Sequence, residues 1–162
     1  IHMRGTYDDE VKALIEHMLS EYAINKFAFF YQDDAYGRGA LKTAQEALKQ
    51  RGITNRVELP YLRASVDFTD QVKKVKEEQP DAIGLFSVAA PTLIFLRQLG
   101  VEELANKELF GFSFLGEEPI RRYVRDHGLN IILGAVVPNP KTSQLEIAKE
   151  YRAAMDKNGY PY

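Results

Sequence analysis

The run Phe27-Ala28-Phe29-Phe30-Tyr31, followed at once by Gln32-Asp33-Asp34-Ala35-Tyr36-Gly37, constrains this chain more than any other stretch. An unbroken apolar and aromatic run suits a strand buried on both faces. The polar break after it gives way to Leu41, Ala44, Ala47 and Leu48 at helical spacing. Strand, polar loop and helix in that order form the unit whose loop faces ligand in α/β folds.

The rest of the chain repeats the alternation. Thr6 is placed to cap a helix with Asp8, Asp9 and Glu10 in its first turn, where negative charge suits the helix dipole. Val11, Leu14, Ile15, Met18, Leu19 and Tyr22 fall on one face of that helix. Arg56 to Leu62 reads as a second strand, and Pro60 within it points to an edge position or an early stop. Asp67 leads a helix with Phe68, Val72 and Val75 inward and Lys73, Lys74 and Lys76 outward. Ala82 to Phe86 forms a third strand, Ser87 to Pro91 a loop, and Leu93, Ile94, Leu96 and Leu99 a helix. Leu109 to Phe112 is the fourth strand, with Ser113 to Gly116 turning into a helix around Ile120, Tyr123 and Val124. Asn130 to Val137 reads as the fifth, followed by the rigid Pro138-Asn139-Pro140 and a last helix from Gln144 to Lys157. The expected fold is α/β: a three-layer α-β-α sandwich around a five-stranded, mostly parallel, doubly wound sheet.

In such a sheet ligands bind where the loops after the carboxyl ends of the strands collect. Those loops are Asp33 to Gly37, Leu62 to Asp67, Ser87 to Pro91, Ser113 to Glu117 and Pro138 to Pro140. The formal net charge of -2 gives no electrostatic case for nucleic acid or an anionic membrane. The chain has no cysteine, which excludes thiolate metal sites and cysteine nucleophiles. His2, His17 and His127 have no metal-ligand spacing, and no serine sits in a nucleophile elbow. No metal, no cofactor and no enzyme chemistry is therefore expected. Ile1-His2-Met3 reads as residue left by cloning and is set aside from the fold.

Two phosphate readings of the opening stretch fail. Gly37-Arg38-Gly39-Ala40-Leu41-Lys42 lacks the third glycine of a dinucleotide fingerprint, and its loop is longer than that tight turn. Asp33-Asp34 with Lys141 resembles a phosphoacceptor site, but the acceptor position after the third strand holds Ser87. Asp33-Asp34 is better explained by loop solvation and the helix dipole. Tyr36 either packs under its loop or presents its ring and hydroxyl to a ligand.

At Tyr31-Gln32-Asp33-Asp34-Ala35-Tyr36-Gly37-Arg38-Gly39 the chain resembles the type I periplasmic binding proteins, in the branch that binds leucine, isoleucine and valine. Thr6-Tyr7-Asp8-Asp9-Glu10, Gln79-Pro80-Asp81-Ala82-Ile83, Phe112-Ser113-Phe114-Leu115-Gly116 and Val136-Val137-Pro138-Asn139-Pro140 are similar to further segments of that family, in the same order. The resemblance implies that residues 4–162 form one lobe, the second, of a two-lobe protein that holds a small molecule in the cleft between lobes. It implies a periplasmic or extracellular setting and a partner that is the membrane permease of an ABC importer. The alternative is an extracellular sensing module of a membrane signalling protein such as a histidine kinase.

Carried over by position, the resemblance implies that Tyr36 and Asp34 in the first loop and Ser87, Val88 and Ala89 in the third contact the ligand. In the fourth loop it implies Leu115, Gly116 and Glu117. The amino-acid binders place a glutamate before the glycine of that loop to accept the ligand's ammonium, and this chain has Leu115 there. An apolar side chain cannot neutralise a buried ammonium, so within the class of amino acids and related small organic solutes the expected ligand is not a standard α-amino acid held in the usual way, but a less polar solute or an organic acid. An isolated lobe would also expose its cleft face, which favours pairing with a second copy.

Overall fold

A computed structural model describes residues 5–161, so Ile1-His2-Met3 and the reading given to it lie outside the described residues. The elements run α1 (Tyr7–Glu21), β1 (Phe27–Gln32), α2 (Ala35–Gln50), β2 (Arg56–Tyr61), α3 (Thr69–Glu78), β3 (Ala82–Phe86), α4 (Ala89–Leu99), α5 (Val101–Leu104), β4 (Glu108–Gly111), α6 (Glu118–Asp126), β5 (Ile132–Leu133) and α7 (Glu146–Asn158). All strand pairs are parallel, in the order β2-β1-β3-β4-β5. The order reverses between β1 and β3, which is the switch point where doubly wound sheets open a crevice at their carboxyl edge.

Period-two alternation along β1 divides the core. Phe27, Phe29 and Tyr31 face α1 and α2, while Ala28 and Phe30 face the side covered by α3, α4 and α6. The result is the three-layer sandwich that the alternation of elements predicts. Pro60 sits in β2, the edge strand, where its missing N–H costs no ladder bond to a further neighbour. Thr6 caps α1 as expected: its Oγ1 accepts from the Asp9 N–H at 3.2 Å, and the Asp9 carboxylate accepts from the Thr6 N–H at 2.9 Å.

At the amino edge Asp81 ties strands together. Its carboxylate accepts from the Asn25 and Lys26 N–H groups at 2.8 and 2.9 Å, just before β1, and its carbonyl accepts from the Glu108 N–H at 2.9 Å.

Three expectations need correction. The fifth strand is not Asn130 to Val137 but the two residues Ile132–Leu133. Its partner β4 stops at Gly111, beyond which the chain curls into a 3-10 turn over Ser113–Gly116, so no ladder remains for residues past Gly134 to join. Ser87 to Pro91 is not all loop, because α4 starts at Ala89 and takes Pro91 into its first turn, where a missing N–H is tolerated. Asp67 does not enter α3; it holds the approach to that helix by accepting from the Thr69 N–H at 3.0 Å.

The described chain divides into two compact units. Gly5–Gly134 carries the whole sheet. The residues after it form α7 and the segment that α7 holds: Arg152 donates to the Pro140 and Ser143 carbonyls at 2.7 and 3.0 Å.

Candidate functional site

The carboxyl edge of the sheet opens into a depression of about 710 Å³ at the switch point. The loop after β1 contributes Gln32, Asp34 and Tyr36, and the loop after β2 contributes Arg63 to Val66. Val88, Ala90, Pro91 and Ile94 come from the start of α4, while Tyr7 and Phe114 close the side. All of these lie within Gly5–Gly134.

Asp34 is the N-cap of α2. Its Oδ1 accepts from the Tyr36 and Gly37 N–H groups at 3.0 and 3.1 Å, and its Oδ2 accepts from the Gln32 side-chain amide. Hydrogen bonding from Gln32, then from the helix N–H groups, holds this carboxyl below the usual carboxylate range. A group with a lowered folded pKa stabilises above its unfolded pKa, about 3.9, and loses that contribution as pH falls through the folded value. Asp34→Asn is therefore expected to lower the urea midpoint at neutral pH, and the deficit to shrink progressively as pH falls below about 3.9 through the folded value. A deficit that persists unchanged in acid would show that the cap does not act through its charge.

Tyr36 packs as part of an aromatic cluster. Its ring meets Tyr7 edge-on at 5.5 Å and lies 5.6 Å from Phe112 and 6.1 Å from Phe114. Its hydroxyl is buried and has no hydrogen-bond partner among the described residues. Burial, with a smaller electrostatic contribution from Tyr7, pushes that hydroxyl above the usual tyrosine range, so it stays neutral. A buried hydroxyl without a partner costs about 1–3 kcal/mol of desolvation. Tyr36→Phe is expected to raise stability by about 1 kcal/mol in denaturant unfolding. A clear loss would mean that the hydroxyl is satisfied in solution.

The other residues named from the sequence are placed differently. Val88 lines the depression beside Asp34 and Tyr36. Ser87 is fully buried beneath it: the Tyr61 hydroxyl meets Ser87 Oγ at 2.6 Å, and Ser87 Oγ donates to the Val88 carbonyl at 3.3 Å. Ala89 is buried in the first turn of α4. Leu115 is fully buried in the core cluster shared with α4 and α6, so it lies under the wall and not on it. Gly116 is half-buried and Glu117 exposed, and neither lines the depression. Arg63, Gln32, Ile94 and Phe114 line it although the sequence singled none of them out as a contact. Their signal was position alone, since each lies in or beside a carboxyl-edge loop or the helix that follows one. Among the described residues no group of three or more His, Asp or Glu side chains could hold a metal ion.

Comparison with known proteins decides the family. The family model described as periplasmic binding protein matches residues 1–161. The chain belongs to the periplasmic binding protein family. Solved structures share the fold of this family member at low identity. A possible leucine/isoleucine/valine-binding protein from Rhodopirellula baltica is 23% identical, with TM-score 0.81, over 100% of this chain and 46% of its own. A leucine binding protein from Thermotoga maritima is 13% identical, with TM-score 0.79, over 96% of this chain and 44% of its own. An ABC transporter solute binding protein from R. palustris, solved in complex with benzoate, is 14% identical, with TM-score 0.72, over 93% of this chain and 42% of its own. No curated protein matches the chain. The chain thus spans less than half the length of these solved relatives. The family is one of substrate-binding proteins, which are not enzymes. No helix among the described residues is long and apolar enough to cross a membrane.

Proposed function

We propose that Gly5–Gly134 is one wall of the solute cleft of an extracytoplasmic binding protein that delivers a small molecule to the permease of an ABC importer, and that it carries out no chemistry itself. The observation that carries this reading is the depression at the β1/β3 switch point, lined from the segments that follow β1, β2, β3 and β4 of a parallel sheet. Support comes from relatives described as ABC transporter solute binding proteins, one of which holds benzoate. The residues proposed to touch solute are Asp34, Tyr36 and Val88 from the sequence reading, joined by Arg63 and Phe114. Ser87, Ala89 and Leu115 act beneath them as supports.

A single wall buries only part of a ligand, so affinity is expected to be weak for this chain and to rise when a second wall is supplied. The same open face favours pairing of two copies, which sedimentation at increasing concentration would register. The function is tested by heteronuclear NMR with a panel of small organic solutes. Shifts of the 32–37, 63–66 and 88–94 amides support the reading. Shifts confined to other surfaces, or none with any solute, overturn it.

A further inference from the structure

We infer that this wall takes the carboxylate of its solute, with Arg63 as the counter-ion, and holds an apolar body against Tyr36, Phe114 and Val88; this rests on the reading of the depression as the solute wall. The charges on the lining are two, Asp34 and Arg63. They are not equivalent. The Asp34 carboxylate is spent, since one oxygen accepts from the first turn of α2 and the other from the Gln32 amide. Its negative charge also sits at a helix N-terminus, where the dipole offsets it. A solute ammonium brought to this wall therefore finds no uncommitted carboxylate, and leaving a charge buried and unpaired is costly.

Arg63 is in a different condition: its charge acts on Asp34 from a distance, but its donors are not taken up. Its guanidinium makes no hydrogen bond and no ion pair within 4.0 Å among the described residues, although five N–H donors are available. It stands on the short carboxyl-edge loop between β2 and α3, next to Ala64, whose φ of 68° turns the chain sharply. A planar guanidinium matches a carboxylate with two parallel N–H···O bonds, and its charge is always present. The rest of the lining suits an apolar body. Phe114, Tyr36 and Tyr7 give aromatic surface, and Val66, Val88, Pro91 and Ile94 give aliphatic surface, with Ser65, Gln32 and the Tyr7 hydroxyl among the uncharged polar groups. A site with one cation whose donors are unused, no carboxylate with uncommitted oxygens and an apolar floor selects a monocarboxylate with an apolar tail over the matching amino acid.

The test compares three probes on the 162-residue chain by NMR titration at low salt: 3-phenylpropanoate, its neutral amide, and L-phenylalanine. The propanoate is expected to bind about five- to tenfold more tightly than the amide, and the preference to fade at high salt. Arg63→Gln should abolish the preference, leaving the propanoate no tighter than the amide. Arg63 is exposed, so the variant keeps its fold, and the unshifted amides of the sheet check this directly. Equal binding of propanoate and amide, equal or tighter binding of L-phenylalanine, or a preference that survives Arg63→Gln overturns the inference while leaving the depression as a solute site. Absence of shifts at the depression with all three probes overturns the inference and the solute-wall reading together.

Discussion

Gly37→Ala is expected to destabilise Gly5–Gly134 by about 3 kcal/mol or more, since among the described glycines a Cβ there meets the closest contact. A Cβ built on Gly37 would lie 2.0 Å from the Gln32 carbonyl oxygen and 2.9 Å from the Gln32 nitrogen. Both are backbone atoms at the end of β1, so relief requires the start of α2 to move off the sheet. That movement would also strain the bonds from the Gly37 and Tyr36 N–H groups to Asp34. Gly39, two residues on, is the internal control. Nothing lies within 4 Å of a Cβ there, and alanine is preferred over glycine inside a helix by about 0.5–1 kcal/mol, so Gly39→Ala is expected to stabilise. Urea unfolding followed by circular dichroism measures both. Equal midpoints for the two variants would mean that α2 does not sit against β1 as described.

Phe30→Ala carries the second large effect. The Phe30 ring is fully buried, stacks on Phe95 at 4.2 Å and on Tyr61 at 4.6 Å, and meets Phe68 edge-on at 5.1 Å. These neighbours come from α4, β2 and the turn before α3, so the ring joins three elements to β1. Removing it costs transfer free energy plus the cavity left behind, about 3–5 kcal/mol for phenylalanine. Against a total stability of about 5–15 kcal/mol for a domain, that is about a fifth of the whole or more. Phe30→Leu fills most of the space and is expected to cost less than half as much. A calorimetric scan in which the alanine and leucine variants melt together would count against this ring as the centre of that face.

The sequence made the sheet legible because its strands are short apolar runs separated by polar breaks and helical spacing. Phe27 to Tyr31 and Ala82 to Phe86 lie at the centre, buried throughout, and carry no period-two signal. They were read from their unbroken apolar runs and from the helix that follows each of them. Residues 130–137 misled for the same reason: their apolar content matches a strand, but whether a strand forms depends on where β4 ends, which is a long-range fact. The loops of the candidate site were legible as positions. Which side chains of those loops reach the depression was not. Leu115 and Ser87 turn inward, whereas Arg63, in a loop without a motif, lines the open side. Gly37 and Gly39 looked like halves of one phosphate motif, yet one is required by close packing and the other by nothing near it.

The Asp81 carboxylate gathers the backbone ahead of β1 at the amino edge, and its carbonyl takes up the first N–H of β4, while every loop of the depression rises from the carboxyl edge. With about 3.3 Å per residue along strands of this length, the two edges lie roughly 17 Å apart. What keeps the strands in order is thus remote from the proposed solute wall. Loops at one end can be exchanged, lengthened or recharged while the stitching at the other end stays untouched. A scaffold divided in this way can take successive small changes in those loops while its strand order is kept.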